Sequence, residues 1–293
     1  MKAAPFEYVR PSSAAEAIAL LAADEDARVI AGGQTLVPMM AMRLARPARL
    51  VDISRLTELS NIRIDGENIA IGAAVRQAVV ERDALAAEKT PLLARALPWV
   101  GHAATRCRGT VGGSIANADP AAEIPLVLAT LGGSVLARGS RGARTIAAGD
   151  FFLAPMTTAL EDDEILVEAR FPAWRHARVG AAFLEISARR GDFAFVAAAA
   201  QVALDASGAC VACAIGVGGA THVPTRLAAS DAFPGAAIEE SAARKTLALE
   251  IADIDIMTDG HASPAYRRRA SIELATRALL AARDDALSKE PRA

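Results

Sequence analysis

The sequence reads as an α+β chain in two parts. Helical and strand patterns interleave without the strict strand–helix–strand rhythm of a doubly wound sheet. Two turn segments, Asp65-Gly66 and Asp205-Ala-Ser-Gly208, each join apolar or alternating runs into a hairpin. Between them, Pro172–Gly180 has the composition of a linker. It divides the 293 residues into a part at 1–176, a smaller part at 180–285 and a polar tail at 286–293.

Element by element, Ser13 can cap a first helix, with Glu16 in capping-box position and Ile18, Leu20 and Leu21 as its apolar surface. Arg28-Val-Ile-Ala is a short buried strand entering Gly32-Gly33, and a helix is expected over 36–44, stopping before Pro47. Leu50-Val-Asp-Ile adds a strand, so residues 1–56 form an α/β lobe. A second lobe, 57–176, opens with the hairpin at 62–72 and continues with helical segments at 78–87 and 92–96. The glycine-rich stretch 109–119 reads as a loop, followed by a buried helix at 124–131 and strands at 134–138, 144–147 and 164–171. Beyond the linker, 194–204 and 209–217 pair as a hairpin. Ser263 and Pro264 start a final helix that should reach about Ala282, with the last ten residues disordered.

Composition excludes several classes. Net charge is −2 from 32 basic and 34 acidic residues in mixture, and aromatics make up only 4%, so neither nucleic acid nor an anionic membrane is an expected partner. The N-terminal region has no basic segment followed by a long apolar run, and no stretch approaches about 18 charge-free apolar residues. A cytoplasmic protein without a transmembrane segment is therefore expected. Cys210 and Cys213 lie on a strand, where positions three apart face opposite sides, and no second pair of ligands accompanies them. They read as small buried hydrophobes, so an iron–sulfur cluster would have to come from another chain. The four histidines are scattered and offer no nucleophilic triad. The Glu161-Asp-Asp-Glu164 run reads as a charged turn, and Met39, Met40 and Met42 as helix packing.

The informative features are two diglycine segments, Ala31-Gly-Gly-Gln-Thr-Leu-Val-Pro38 and Gly109-Thr-Val-Gly-Gly-Ser-Ile-Ala-Asn-Ala-Asp-Pro120. Paired glycines can adopt positive φ and turn consecutive amides into a concave nest for an anion. Two such nests would suit the diphosphate of a dinucleotide, yet neither segment is a nicotinamide or ATP signature.

Both segments resemble the FAD loops of the medium subunit of carbon monoxide dehydrogenase and of the xanthine dehydrogenases, the molybdenum hydroxylase family. His102-Ala-Ala-Thr-Arg-Cys-Arg is similar to the lead-in to the second loop. Phe183-Leu-Glu-Ile-Ser-Ala-Arg-Arg-Gly-Asp-Phe-Ala resembles the family's Arg-Arg-x-Gly-Asp-Phe-Ala segment, and Ser263-Pro-Ala-Tyr-Arg-Arg-Arg its C-terminal helix. The resemblance implies FAD as cofactor, a vanillyl-alcohol-oxidase/p-cresol-methylhydroxylase (PCMH) fold over 1–176, and a smaller α+β domain after it. It implies that Ile30, Ala31, Gly32, Gly33, Gln34, Thr35 and Leu36, with Thr110, Gly112, Gly113 and Ser114, wrap the diphosphate and ribityl parts. Asn117 and Glu123 would hydrogen-bond the ribityl chain or the ring, Ile124 and Leu166 would pack on the ring, and Asp119 would fix the turn presenting them. His102 and Arg189 are further candidates for contact. The sequence departs from the family at Ser114, Glu123 and Ala188, where Asn, Asp and Arg are usual.

Implied partners are a [2Fe-2S] small subunit and a molybdopterin large subunit, as a dimer of heterotrimers. The chain would collect electrons and pass them to an external acceptor, with no catalytic acid–base pair of its own. Two other readings stay open: a stand-alone flavin oxidase of a small molecule, and a scaffold subunit without a working cofactor.

Overall fold

A computed structural model describes residues 2–289. In the first lobe, β1 (Glu7–Val9), β2 (Ala27–Ile30) and β3 (Arg49–Asp52) form a parallel sheet in the order β1-β3-β2. Helix α1 (Ala14–Ala22) covers it with Ala14, Ala17, Ile18 and Leu21. The Ser13 hydroxyl caps this helix by accepting from the Glu16 amide at 3.1 Å. Glu16 answers one residue early, accepting from the Ser12 amide rather than that of Ser13. Helix α2 (Leu36–Ala41) is shorter than the apolar pattern suggested, because the chain turns left-handed at Arg43, φ 60°.

The second lobe is built on a five-stranded antiparallel sheet. Its hairpin, β4 (Ile62–Asp65) and β5 (Asn68–Gly72), turns at Gly66-Glu67 with Gly66 at φ 60°. Helices α3 (Gln77–Val80), α4 (Ala84–Lys89), α5 (Pro91–Ala96), α6 (Ala103–Arg108), α7 (Val111–Asn117) and α8 (Glu123–Thr130) follow. Then come β6 (Ser134–Gly139), β7 (Gly142–Ala147), α9 (Ala148–Phe151) and a small hairpin, β8 (Phe152–Ala154) with β9 (Thr157–Thr158). Strand β10 (Ile165–Pro172) returns between β5 and β6, giving the order β4-β5-β10-β6-β7. That pairing joins residues about 100 apart in sequence and is set by burial of both faces of β10, not by any local signal.

The C-terminal part is an antiparallel sheet of β11 (Arg178–Ser187), β12 (Ala194–Leu204), β13 (Cys210–Gly218) and β14 (Thr225–Arg226), backed by α10 (Glu240–Asp253) and α11 (Pro264–Leu287). Helix α10 was not foreseen, although Ala243, Leu247 and Ile251 repeat at one-turn spacing and are wholly buried. Helix α11 runs past Ala282 to Leu287, and Lys289 is anchored on the Val179 carbonyl at 2.7 Å. The disorder expected for the last ten residues is thus corrected through Lys289; 290–293 lie outside the described residues.

Two expectations about the core change. A bulge in β13 pairs Ala203 with Ala212 but Leu204 with Cys210, so Cys210 and Cys213 are brought to the same buried cluster instead of opposite faces. The linker also does not separate two cores. Ala181, Phe183, Ala194, Ala197, Ala199 and Ala214 of the C-terminal sheet join Leu92, Leu126 and Phe171 of the preceding part in one apolar cluster. No helix among the described residues is long and apolar enough to cross a membrane.

Candidate cofactor cleft

Strand β2 delivers the chain into Ala31-Gly32-Gly33-Gln34-Thr35, where Gly33 takes φ +67° before α2 begins. Among the described residues no acceptor pairs with the amides of Gly33, Gln34, Thr35 or Leu36, while the Gly33 carbonyl accepts from Val37 at 3.1 Å. Four consecutive N–H groups around one left-handed glycine form an anion-binding nest.

The second glycine segment behaves differently. The chain is already helical at Val111, with Thr110 as N-cap and its hydroxyl accepting from Gly113 at 3.0 Å. The Val111 and Gly112 amides bond the Val75 and Ala73 carbonyls at 3.0 and 3.1 Å, and Ser114 bonds the Thr110 carbonyl. Every amide from 111 to 114 is used within the protein, so the expected second nest is corrected to a capped helix start. Its glycines are there for contact. A Cβ on Gly112 would stand 2.4 Å from Ala73 Cβ, so α7 lies directly on the backbone leaving β5. A Cβ on Gly113 would crowd the capping Thr110 hydroxyl at 2.8 Å, with Ala31 Cβ across the cleft at 3.9 Å.

The two segments meet. A Cβ on Gly32 would lie 2.6 Å from the Arg108 carbonyl oxygen and 2.8 Å from Gly109 Cα. Gly109 in turn rests on the Gln77 amide group, 2.6 Å from its Oε1 to a Cβ built there. Between them runs a cleft of about 520 Å³. Of the residues singled out in the sequence, Ile30, Ala31, Gly32, Gly33, Gln34, Thr35, Leu36, Thr110, Gly112, Gly113, Ser114, Asn117, Asp119, Glu123 and Leu166 line it.

Three do not. Ile124 is wholly buried in the core, because the phase of α8 turns it away from Glu123, so its expected ring contact is replaced by packing. Arg189 is exposed and paired with Asp192 at 3.1 Å. His102 is exposed too, and its imidazole supports Gly191, where a Cβ would come within 2.8 Å of Cε1. That packing explains the segment's part in the site: Gly191, Asp192 and Phe193 reach the cleft in place of Arg189. Gln77, Thr105, Leu160 and Glu164 also line it unforeseen. Phe193, 70% exposed at the mouth, was legible as an aromatic beside a glycine in a polar run.

The cleft's charge is unusual for an anion site. Among the described residues lining it, Arg28 carries the only positive charge, and that guanidinium is turned to the carbonyls of Glu25 and Ala27 at 2.7 Å each. Asp119 folds back to accept from Ala121 at 2.9 Å, and burial raises its carboxyl above the usual range. Burial pushes Glu123 up to about 7, with the Asp119 charge adding to the rise and Arg106 and the residue's own amide opposing it. Glu123 is therefore about half protonated near neutrality and can donate as well as accept. Glu164 is held ionised by a two-pronged bond to Arg144 at 2.8 Å.

The arrangement fits a flavin dinucleotide. Bare backbone would meet the diphosphate, hydroxyls and an amide (Thr110, Ser114, Asn117) are spaced along one wall, and Leu166 and Phe193 supply apolar surface at the other end.

Comparison with known proteins agrees. Residues 4–174 match the FAD binding domain in molybdopterin dehydrogenase, and residues 181–282 match the CO dehydrogenase flavoprotein C-terminal domain. The alpha subunit of the 6-hydroxypseudooxynicotine dehydrogenase complex of Paenarthrobacter nicotinovorans is 41% identical over 76% of each chain. The carbon monoxide dehydrogenase medium chain of Afipia carboxidovorans is 36% identical over 90% of this chain and 92% of its own. A chain in the structure of reconstituted CO dehydrogenase from Oligotropha carboxidovorans superposes with a TM-score of 0.93 at 33% identity, over 98% of this chain and all of that one. With an amide nest, a glycine-to-glycine contact and a matching C-terminal domain on one chain, this protein belongs to the FAD-binding medium subunits of the molybdenum hydroxylases, and FAD is its cofactor.

Proposed function

We propose that this chain is the electron-transfer flavoprotein of a heteromeric complex. It takes electrons from a [2Fe-2S] small subunit, itself fed by a molybdopterin large subunit, and passes them to an external acceptor. The complex is read as a cytoplasmic dimer of heterotrimers. The observation that carries this reading is the close seating of Gly32 on Arg108–Gly109 beside four unspent amides, which makes one cleft of two segments 77 residues apart. The family membership supports it.

In this reading the amides of Gly33–Leu36 hold the diphosphate, Thr110, Ser114 and Asn117 bond the ribityl chain, and Glu123, Leu166 and Phe193 border the ring. Bound flavin supplies the ability to accept electrons singly and release them in pairs. The protein excludes water at Leu166 and offers Glu123, near its midpoint of titration at neutral pH, as hydrogen-bond donor or acceptor.

Gly113→Leu tests the site. Its side chain would project toward Ala31 across the cleft, and its Cβ, 2.8 Å from the Thr110 hydroxyl oxygen, would displace that one capping side chain. Purified wild type should show flavin absorption bands at near one FAD per chain. The variant should keep wild-type far-UV circular dichroism and lose at least about 100-fold in FAD affinity, roughly 2.7 kcal/mol. Undiminished binding by the variant removes the proposed seat. Flavin reduction by a small substrate added to this chain alone would replace the relay by a stand-alone oxidase.

A further inference from the structure

A second carboxyl lies behind the cleft, on the C-terminal sheet. Strand β11 alternates strictly: Ala181 and Phe183 pack into the cluster shared with the preceding part, and Ala182, Leu184 and Ile186 into the other. Glu185 therefore points to the shared side. Its cross-strand neighbour is Ala197, whose own partner is Gly218, and a Cβ on Gly218 would touch Leu126 and the Pro120 carbonyl. The two small residues leave room for the Glu185 side chain next to the start of α8. Both carboxyl oxygens of Glu185 are buried, and neither has a hydrogen-bond partner among the described residues.

An unpaired buried carboxylate would cost several kcal/mol, so the group is kept neutral or must be given a partner. Among the described residues no cation bonds it. Strand β11 packs against β12, α11 and α5. The charged groups that bond this strand from those helices, Asp285 on α11 and Arg95 joined to it from α5, sit at Ala181, the opposite end. Among the described residues the charge that bears on Glu185 is that of Glu123, which itself faces Asp119 and Arg106, the latter clamped by Glu81 at 2.9 Å.

We infer that Glu185 is a positioning residue for the cofactor cleft: buried without a hydrogen-bond partner at the junction of the two parts, behind the helix start that carries Glu123, it must keep its own proton for flavin to bind tightly. Burial, reinforced by the Glu123 charge, raises Glu185 to about 8, so the proton is present at neutral pH and lost above it. Flavin held in the cleft would displace water from beside Glu123 and so strengthen the repulsion between the two carboxyls. The bound state then tolerates the second negative charge less than the free state does. The signal in the sequence was an acid at an inward position of an otherwise apolar strand.

This inference rests on the cofactor reading, and FAD titrations of the whole chain separate the two. For wild type, the FAD dissociation constant should rise about tenfold from pH 7 to pH 9, since a group titrating near 8 passes from mostly protonated to mostly ionised over that span. Glu185→Gln, which cannot ionise, should show a clearly smaller rise over the same range, what remains being set by Glu123. Failure of wild type to bind FAD at any pH would overturn the cofactor reading and this inference with it. Binding with the same pH dependence in wild type and Glu185→Gln would overturn the inference alone. The melting temperature of the FAD-free chain gives an independent reading. A carboxyl raised in the folded state stabilises below its unfolded value of about 4.5, and that contribution is lost as pH rises through about 8. The melting temperature of Glu185→Gln should fall less than that of wild type between pH 5 and 8; equal falls would also overturn the assignment.

Discussion

Gly32→Val is expected to abolish FAD binding. The new Cβ would stand 2.6 Å from the Arg108 carbonyl oxygen and 2.8 Å from Gly109 Cα, both backbone, and no side-chain rotation relieves either clash. The two glycine segments must part by at least an ångström, and the amides of Gly33–Leu36 lose their position against the opposite wall. Binding energy that depends on several preorganised donors falls steeply with such a displacement. The loss should exceed about 1,000-fold in the FAD dissociation constant, roughly 4 kcal/mol. Gly32 packs at the cleft surface and not in a core cluster, so the apoprotein should melt within a few degrees of wild type. Titration of FAD by flavin fluorescence quenching reads the first quantity, and a thermal melt the second. Affinity within tenfold of wild type would mean that the contact does not define the seat.

Arg267→Met should produce the largest loss of stability. Arg267 on α11 is among the largest fully buried side chains, and its guanidinium bonds the carbonyls of Phe195 and Gly219 and the Asp259 carboxylate. Methionine fills comparable volume but leaves the Phe195 and Gly219 carbonyls without their donor and removes the ion pair to Asp259, which keeps its bonds from the His261 and Ala262 amides, a cost of about 2–4 kcal/mol. For a chain of this size that lowers the melting temperature by about 10 °C. The effect should reach the cleft as well. The Gly219 amide donates to the Pro120 carbonyl at 2.7 Å, and Phe195 is two residues from Phe193 at the mouth. Weaker FAD affinity, by about tenfold, should accompany the lower melting temperature. Burial opposes ionisation of Asp259, but the amides of His261 and Ala262 and the Arg267 guanidinium outweigh it and hold the carboxyl down to about 2. A carboxyl depressed in the folded state stabilises above its unfolded value, near 4, and that contribution disappears as pH falls through 2. The gap between wild type and variant should therefore narrow below pH 4. An unchanged gap would assign the loss to packing alone.

Much of this fold was legible because its signals are local. Ser13 and Ser263 cap helices where the sequence placed them, and both hairpins turn within their glycine-containing segments. The first glycine segment was readable as a nest because a strand ends and a helix begins around it. The second misled for a physical reason: Gly112 is required by tertiary contact with Ala73 and Gly113 by the Thr110 cap beside it, not by positive φ, and no sequence pattern distinguishes these demands. The same limit explains Cys210 and Cys213, whose common burial follows from a bulge, and Ile124, whose direction follows from helix phase. Phe193 and Gly191 were within reach, since they belong to a segment already singled out. Attention had gone to its arginines, which the structure leaves in solvent.

The apolar cluster that runs unbroken from Leu92 to Ala214 bears on how cofactor could enter or leave. An apolar junction of this extent resists hinge bending between the two parts. Exchange is then left to small-scale fraying of the strips at the rim, 31–36 and 191–193, whose backbones carry few protein hydrogen bonds. A holoprotein built this way should release its prosthetic group slowly, at a pace governed by rim opening instead of by gross domain separation.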